Sequence, residues 1–280
     1  MWLTPKQGSD AALALAMGQV ILREFHLDRR VDYFDDYTRR YTDMPFLVRM
    51  EEKDGHLIPE RLLRASELPG GLGEANNPDW KTVAIDETSG DLIAPLGSIG
   101  FRWGESGLWN LEDKDGAGRN VRLKLTLADA DHEIAAVDFP YFGGRASEHF
   151  VSTSHGDILT RNVPIREIAT ADGSKVKVAT VYDLMMANYG LDRGFGGDFV
   201  ARTYDQDVPF TPAWAEKITG VKRDAIITVA REFAENAEKT NGRSMVILGA
   251  GINHWYHMDM AYRGIINLLV FCGAVGQSGG

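Results

Sequence analysis

Apolar residues fill almost every position of the stretch 10–25, DAALALAMGQVILREF, which predicts a helix buried on nearly all sides and capped by Ser9 or Asp10. A short apolar run at 2–4 and a turn at 5–9 precede it, so the chain reads strand, turn, buried helix. The same arrangement returns at 244–280. The run 244–248, SMVIL, carries β-branched residues between Gly242 and Gly249 and predicts a buried strand. A turn over 249–258 holds two glycines, an amide, two imidazoles and two aromatics. A helix over 259–272 follows, with Asp259 as cap and Gly273 as stop. Met260, Ile265, Ile266, Leu268, Leu269, Val270 and Phe271 leave it almost no polar face, so burial is expected.

Between these ends the pattern changes twice. The stretch 32–41 is an amphipathic helix through Tyr33, Phe34 and Tyr37, with Arg39 and Arg40 as a solvated basic end. From 46 to about 151 the apolar runs are short and alternating, at 46–50, 82–85, 99–103, 121–127 and 134–139, separated by Gly, Asn and Asp turns. That texture predicts β-rich structure with hairpins, with Trp80, Phe101, Trp103 and Trp109 in its core. A hairpin at 163–168 and 175–180 around Asp172-Gly173 follows, then a helix over 181–188 opened by Thr180 and Asp183 and stopped near Gly190. The stretch 190–210 is a surface loop. Thr211 and Pro212 open a helix to 219 that ends at Gly220. An amphipathic helix over 222–237 buries Ile226, Ile227, Val229, Ala230, Phe233 and Ala237. Strand–helix units at both ends argue for a doubly wound α/β layer. The expected domains are 1–45 and 161–280 as one α/β cofactor-binding domain, with 46–160 as a β-rich insertion.

With 280 residues, 44% of them hydrophobic, the chain can build a sizeable core, and thirty glycines fit its many turns. A net charge of -10 argues against a general nucleic-acid surface. The single cysteine, Cys272, lies in the apolar helix and reads as a buried, inert thiol. One cysteine forms no disulfide framework, which points to a reduced, intracellular chain, and it cannot hold an iron–sulfur cluster. No run has the length of a membrane span. The abrupt beginning at Met1-Trp2-Leu3 and the ending at Gly279-Gly280 read as the two ends of an internal fragment.

The candidate chemistry lies in the bends. Gly249 and Gly251 could open a dinucleotide fingerprint, or simply a tight strand-to-helix turn; His254 stands where the fingerprint wants Gly or Ala. A second bend, with Gly276, Gln277, Ser278 and Gly279, puts glycine-rich polar backbone at both ends of one helix, as a large polar ligand would require. His254, His257 and Asp259 are close in sequence, but no fourth ligand stands near, and a hydrogen bond from Asn253 or His254 to a ligand ring or phosphate fits the turn better than a metal. His257 reads as a structural histidine. His132 reads as exposed, and His149 and His155, which flank a serine-rich loop, have no cysteine nearby. Arg263 suits a phosphate or an internal salt bridge equally. Asp10 by itself is a helix cap.

The segment 249–280, GAGINHWYHMDMAYRGIINLLVFCGAVGQSGG, with WLTPKQGSDAALALAMG at 2–18, RRYTDMPFLVRMEE at 39–52, FPYFGG at 139–144 and TPAWAEKITGV at 211–221, resembles the catalytic alpha subunits of membrane-bound respiratory nitrate reductases, a branch of the molybdopterin oxidoreductases. The resemblance implies two-electron reduction of nitrate to nitrite at a molybdenum bis(molybdopterin guanine dinucleotide), with electrons from quinol through iron–sulfur clusters. It implies an iron–sulfur beta subunit and a membrane haem gamma subunit as partners, at the cytoplasmic face of the cell membrane. The molybdenum ligand and the cluster ligands of that family lie outside the matched segment, so no turnover is expected of these residues alone. The cofactor contacts implied are Gly8, Ser9, Asp10, Gly249, Gly251, Asn253, His254, Gly276, Gln277, Ser278 and Gly279. Asp10 would accept from guanine. None of these is assigned to the chemical step, and His254 would act on it only through the cofactor. Competing readings are a formate, selenate or perchlorate type of relative, a nicotinamide-binding Rossmann protein, and a non-catalytic interaction module. The cofactor reading requires residues 8–10 and 249–254 to meet in space.

Overall fold

The computed structural model describes residues 2–53, 55–74, 77–95, 114–115, 117–128, 132–140, 158–256 and 258–280. The chain forms two compact units. The first comprises Met1–Thr38, Tyr189–Gly194 and Phe199–Gly280; the second comprises Arg39–Asn188 and Phe195–Asp198. The second unit is therefore inserted in sequence into the first. Its boundaries fall at 38 and 188 and not at 45 and 160, because the strands after 158 complete a barrel and the following helix packs on it.

The first unit is helical. Helix α1 (Asp10–Ile21) continues through a π-helical stretch, Leu22–Asp28, where the sequence predicted one α-helix to 25. Helix α2 (Asp32–Tyr41) has the predicted bounds. Helix α3 (Val181–Asn188) belongs to the second unit. Helix α4 (Pro212–Thr219) starts as predicted: the amide of Trp214 donates to Thr211 Oγ1 at 3.1 Å, and Gly220 closes the helix at φ +78°. Helix α5 (Arg223–Thr240) and helix α6 (Met258–Phe271) complete the unit.

Helices α1 and α6 pack closely because small residues face each other. A Cβ on Gly264 would stand 3.2 Å from Cβ of Ala14, and one on Gly18 would stand 3.4 Å from the Phe271 ring. The order of these pairs, with Gly8 beside Trp255, makes the two helices parallel. Helix α6 is less buried than its composition suggested. Ala261, Gly264, Leu268 and Phe271 are covered, but Met260 is 53% exposed and Ile266 48%.

Neither 2–4 nor 244–248 is a strand, and the described residues of this unit contain none. A strand needs a partner for its backbone N–H and C=O groups. None is present at 244–248, where Met245 is 60% exposed and Ile247 84%.

The second unit is a closed barrel of five strands: β1 (Leu47–Lys53), β2 (His56–Leu62), β5 (Glu133–Pro140), β6 (Ile158–Ala169) and β7 (Lys175–Thr180). All neighbours are antiparallel except β2 and β5, which pair in parallel at Leu57 and Val137. A small hairpin, β3 (Ala84–Ile85) and β4 (Leu92–Ile93), lies beside them in sequence. Both faces of the strands are buried, since Leu47 and Val48, like Val178 and Ala179, enter different apolar clusters. The expected strands at 46–50, 134–139, 163–168 and 175–180 are present. The run 121–127 is buried but makes only one isolated bridge, Leu123 with Asp86, so it is not a strand. The run 99–103, with Trp109, His149, His155 and His257, lies outside the described residues.

Arg39 is not a solvated helix end. It is 6% exposed, donates to the Leu123 carbonyl and lies 3.2 Å from Glu87. Arg161 is fully buried. Its guanidinium donates to the carbonyls of Ala187 at 2.6 Å, Asn188 at 2.7 Å and Asp198 at 2.9 Å, tying β6 to the end of α3 and to the 195–198 loop.

Candidate ligand-binding site

Because α1 and α6 are parallel, their N-terminal ends lie side by side. The bend before each helix meets the other. A Cβ on Gly8 would stand 3.5 Å from Cε3 of Trp255, the residue after the 3₁₀ turn Ala250–His254. Gly8 therefore meets the residue that closes the 249–254 bend, where the expectation was a meeting of 8–10 with 249–254. Two helix N-termini bring backbone donors to this end, with Asp10 and Asp259 in their first turns.

The side chains leave that end open. Ser9 occupies the cap position of α1 but does not cap it: its hydroxyl donates to the Lys6 carbonyl at 2.5 Å. Asp10, the first helical residue, likewise makes no cap, and its carboxylate has no hydrogen bond or ion pair with any described residue. The helix-cap reading of either side chain does not hold. Gly8 needs its glycine, with φ at +77°. A Cβ on Gly249 or Gly251 would meet nothing within 4 Å. Asn253 is held by the hydroxyl of Tyr262, which donates to its Oδ1, so the amide nitrogen stays available. His254 is exposed. Arg263, also exposed, makes no salt bridge with a described residue.

The second bend stands apart. Helix α6 is 14 residues long, so its ends are roughly 20 Å apart at about 1.5 Å per residue. Gly276, Gln277, Ser278 and Gly279 therefore form a separate cluster from Gly8–Asp10 and 249–254. At this end Gly273 is left-handed, with φ at +62°. The amide of Ala274 donates to the Leu269 carbonyl at 2.8 Å and that of Gly273 to Val270 at 3.1 Å, a Schellman closure. Beyond it the amides of Gly276, Ser278 and Gly279 donate to no described residue, and all three residues are exposed. Cys272 is buried, and desolvation pushes its thiol far above the usual range, which keeps it unreactive.

Sequence reasoning missed Trp255, which joins the two bends, and Tyr262, which orients Asn253. It read Tyr33 and Tyr37 only as an apolar stripe. The i, i+4 spacing of two hydroxyl-bearing rings was the available signal.

Open glycine bends, unengaged amides and adjacent helix N-termini describe a unit suited to a large polar, anionic ligand. Comparison with known proteins supplies the class: a model of the molybdopterin oxidoreductases matches residues 1–280, and the chain belongs to that family. Among individual proteins it is 59% identical over its whole length to respiratory nitrate reductase 1 alpha chain of Escherichia coli K12 and 40% identical to the nitrate reductase alpha chain of Bacillus subtilis 168. It is 26% identical to perchlorate reductase subunit alpha of Dechloromonas aromatica. The chain spans 22% of the length of the first two and 23% of the third. No helix among the described residues is long and apolar enough to cross a membrane.

Proposed function

We propose that these 280 residues form part of the cofactor cradle of a respiratory nitrate reductase alpha chain. The cofactor is molybdenum bis(molybdopterin guanine dinucleotide), and when bound it supplies the two-electron reduction of nitrate to nitrite. The fit rests on this chain's own groups. Asp10 is an unengaged carboxylate able to accept the N1 and N2 protons of guanine. Gly249 and Gly251 leave space for close approach, Asn253 and His254 offer donors, and Arg263 offers an unpaired cation for a phosphate. Ser9 serves through its oxygen and backbone, since its proton is engaged with Lys6. Gly276, Ser278 and Gly279 serve a second part of the ligand through their free amides, and Gln277 and Ser278 through their side chains.

The finer parts of the reading go with it. Quinol is the electron source through iron–sulfur clusters held outside these residues. An iron–sulfur beta subunit and a membrane haem gamma subunit are the partners, and the assembly is peripheral at the cytoplasmic face. The doubly wound layer forms when 244–248 pairs with strands from the length of the relatives that this chain does not span. Identity of 59% to a nitrate reductase against 26% to a perchlorate reductase favours nitrate as the substrate.

One observation carries the proposal: Gly8 beside Trp255 brings an uncapped helix end and its free carboxylate to the open glycine turn. The test is elemental and nucleotide analysis of the protein as its host makes it, with nitrate reduction assayed beside it. Molybdenum with guanine nucleotide and nitrate turnover are expected. A protein free of both molybdenum and guanine nucleotide overturns the proposal, as does nitrate turnover by the 280 residues alone.

A further inference from the structure

A helix C-terminus is a poor place for an anionic ligand. Its last carbonyls point outward and carry the negative end of the helix dipole. The 273–280 bend is at such an end, yet the amides of its exposed residues Gly276, Ser278 and Gly279 donate to no described residue. Three side chains account for this. His26 Nε2 lies 2.8 Å from the Phe271 carbonyl, and because a carbonyl only accepts, that nitrogen carries the proton. The Tyr33 hydroxyl donates to the Gly273 carbonyl at 2.6 Å, and the Tyr37 hydroxyl to the Val275 carbonyl at 3.0 Å. Three alternate carbonyls, 271, 273 and 275, are thus drawn inward by the π-helical stretch and α2, while the Schellman closure takes 269 and 270. The bend is held closely from behind: a Cβ on Gly242 would stand 2.5 Å from the Tyr33 hydroxyl oxygen, and one on Gly273 2.8 Å from Cε1 of the same ring. His26 itself is stacked on Phe34, 5.8 Å between ring centres, and meets Phe271 edge-on at 6.3 Å.

We infer that His26, Tyr33 and Tyr37 are positioning residues that turn the carbonyls of the 273–280 bend inward, so that its Gly276, Ser278 and Gly279 amides face outward as a donor surface for the pterin dinucleotide. The inference rests on the cofactor reading above. It adds three residues that touch no ligand and act through the backbone of the bend. Without them the orphaned carbonyls would seek water on the ligand side and the amides would lose their common direction.

The test compares Tyr33→Phe and Tyr37→Phe, which delete only hydroxyls, with Tyr204→Phe. The Tyr204 hydroxyl makes a bond of similar length to Glu24, 2.9 Å, elsewhere in the same unit. All are made in the protein as its host expresses it. Guanine nucleotide per polypeptide, the nucleotide release rate well below the melting temperature, and the Mo(V) spectrum are measured alongside Tm. Tyr33→Phe and Tyr37→Phe are expected to speed nucleotide release by roughly fivefold each, the equivalent of one lost neutral hydrogen bond, and to alter the spectrum. Tyr204→Phe, at a comparable drop in Tm, leaves both unchanged. If all three variants lose nucleotide in proportion to Tm, the hydroxyls merely stabilise the fold and the inference is overturned while the cofactor reading stands. If the unsubstituted protein carries no pterin nucleotide, both fall together.

Discussion

Gly8 lies under the indole of Trp255, with 3.5 Å between Trp255 Cε3 and the place a Gly8 side chain would begin. Two bends separated by most of the chain meet there, each at the start of a helix, and the helices run in parallel, with Gly264 against Ala14 and Phe271 against Gly18. That pairing turns two unremarkable helix starts into one face with several unfilled donors and one free carboxylate.

Asp10 has no partner to lose, so Asp10→Asn should leave stability almost unchanged. Guanine nucleotide retention should weaken by about tenfold or more, the usual cost of removing a charged acceptor. Tm and nucleotide content of the same preparation separate the two effects.

Two glycine substitutions should behave oppositely. Gly242→Ala forces a left-handed φ of +87° on alanine and drives its Cβ against the Gly273 carbonyl and the Tyr33 hydroxyl. It should destabilise by on the order of 3 kcal/mol. Gly251→Ala meets nothing within 4 Å, so stability should change by less than about 0.5 kcal/mol. A loss of cofactor in Gly251→Ala would then report close ligand approach, and unchanged cofactor content would remove Gly251 from the cradle.

His26 makes stability pH-dependent. Burial is the largest influence and lowers its imidazole from 6.5 to about 4, with the Phe271 carbonyl bond acting the other way. Asp35 also raises it and Arg30 lowers it. The unfolded chain therefore binds the extra proton between those values. The stabilisation is complete above the unfolded value of about 6.5, declines as pH falls, and is lost by about 4, to a total on the order of 3 kcal/mol. Urea midpoints at about pH 7 and about pH 4.5 should differ more for the unsubstituted chain than for His26→Leu. Equal pH slopes would exclude this role.

Arg161→Met should destabilise the barrel unit by at least about 3 kcal/mol, because three carbonyls lose a charged donor in the interior. Gly197→Ala should injure the same junction: at φ +124° its Cβ would fall 2.6 Å from Cα of Arg161. Thermal melts of both variants check this, and a Tm shift near zero for either contradicts it.

Much of the fold was legible because local chemistry coincided with tertiary demand. Thr211 with Pro212 and Gly220 marked both ends of α4, and Gly273 the end of α6. The β6–β7 hairpin followed from alternation around Asp172-Gly173. Strand β2 escaped notice because Pro59 interrupts it. The proline is accommodated where the β1–β2 register shifts between Arg49 and Met50, a feature no local pattern announces. The run 244–248 failed the other way: its composition suits a buried strand, but burial and pairing depend on neighbours that these residues do not supply.

The sequence by itself determined the helices, most of the barrel strands, the places where glycine permits a bend, and the family resemblance, since these depend on residues near one another or on matched strings. Tertiary structure alone decided which bends share a face. It released Asp10 from capping, buried Arg39 and Arg161, and drew the carbonyls at the end of α6 inward onto His26, Tyr33 and Tyr37. The reason is that hydrogen-bond partners far apart in the chain are set by how helices pack, and packing is not written in any one segment.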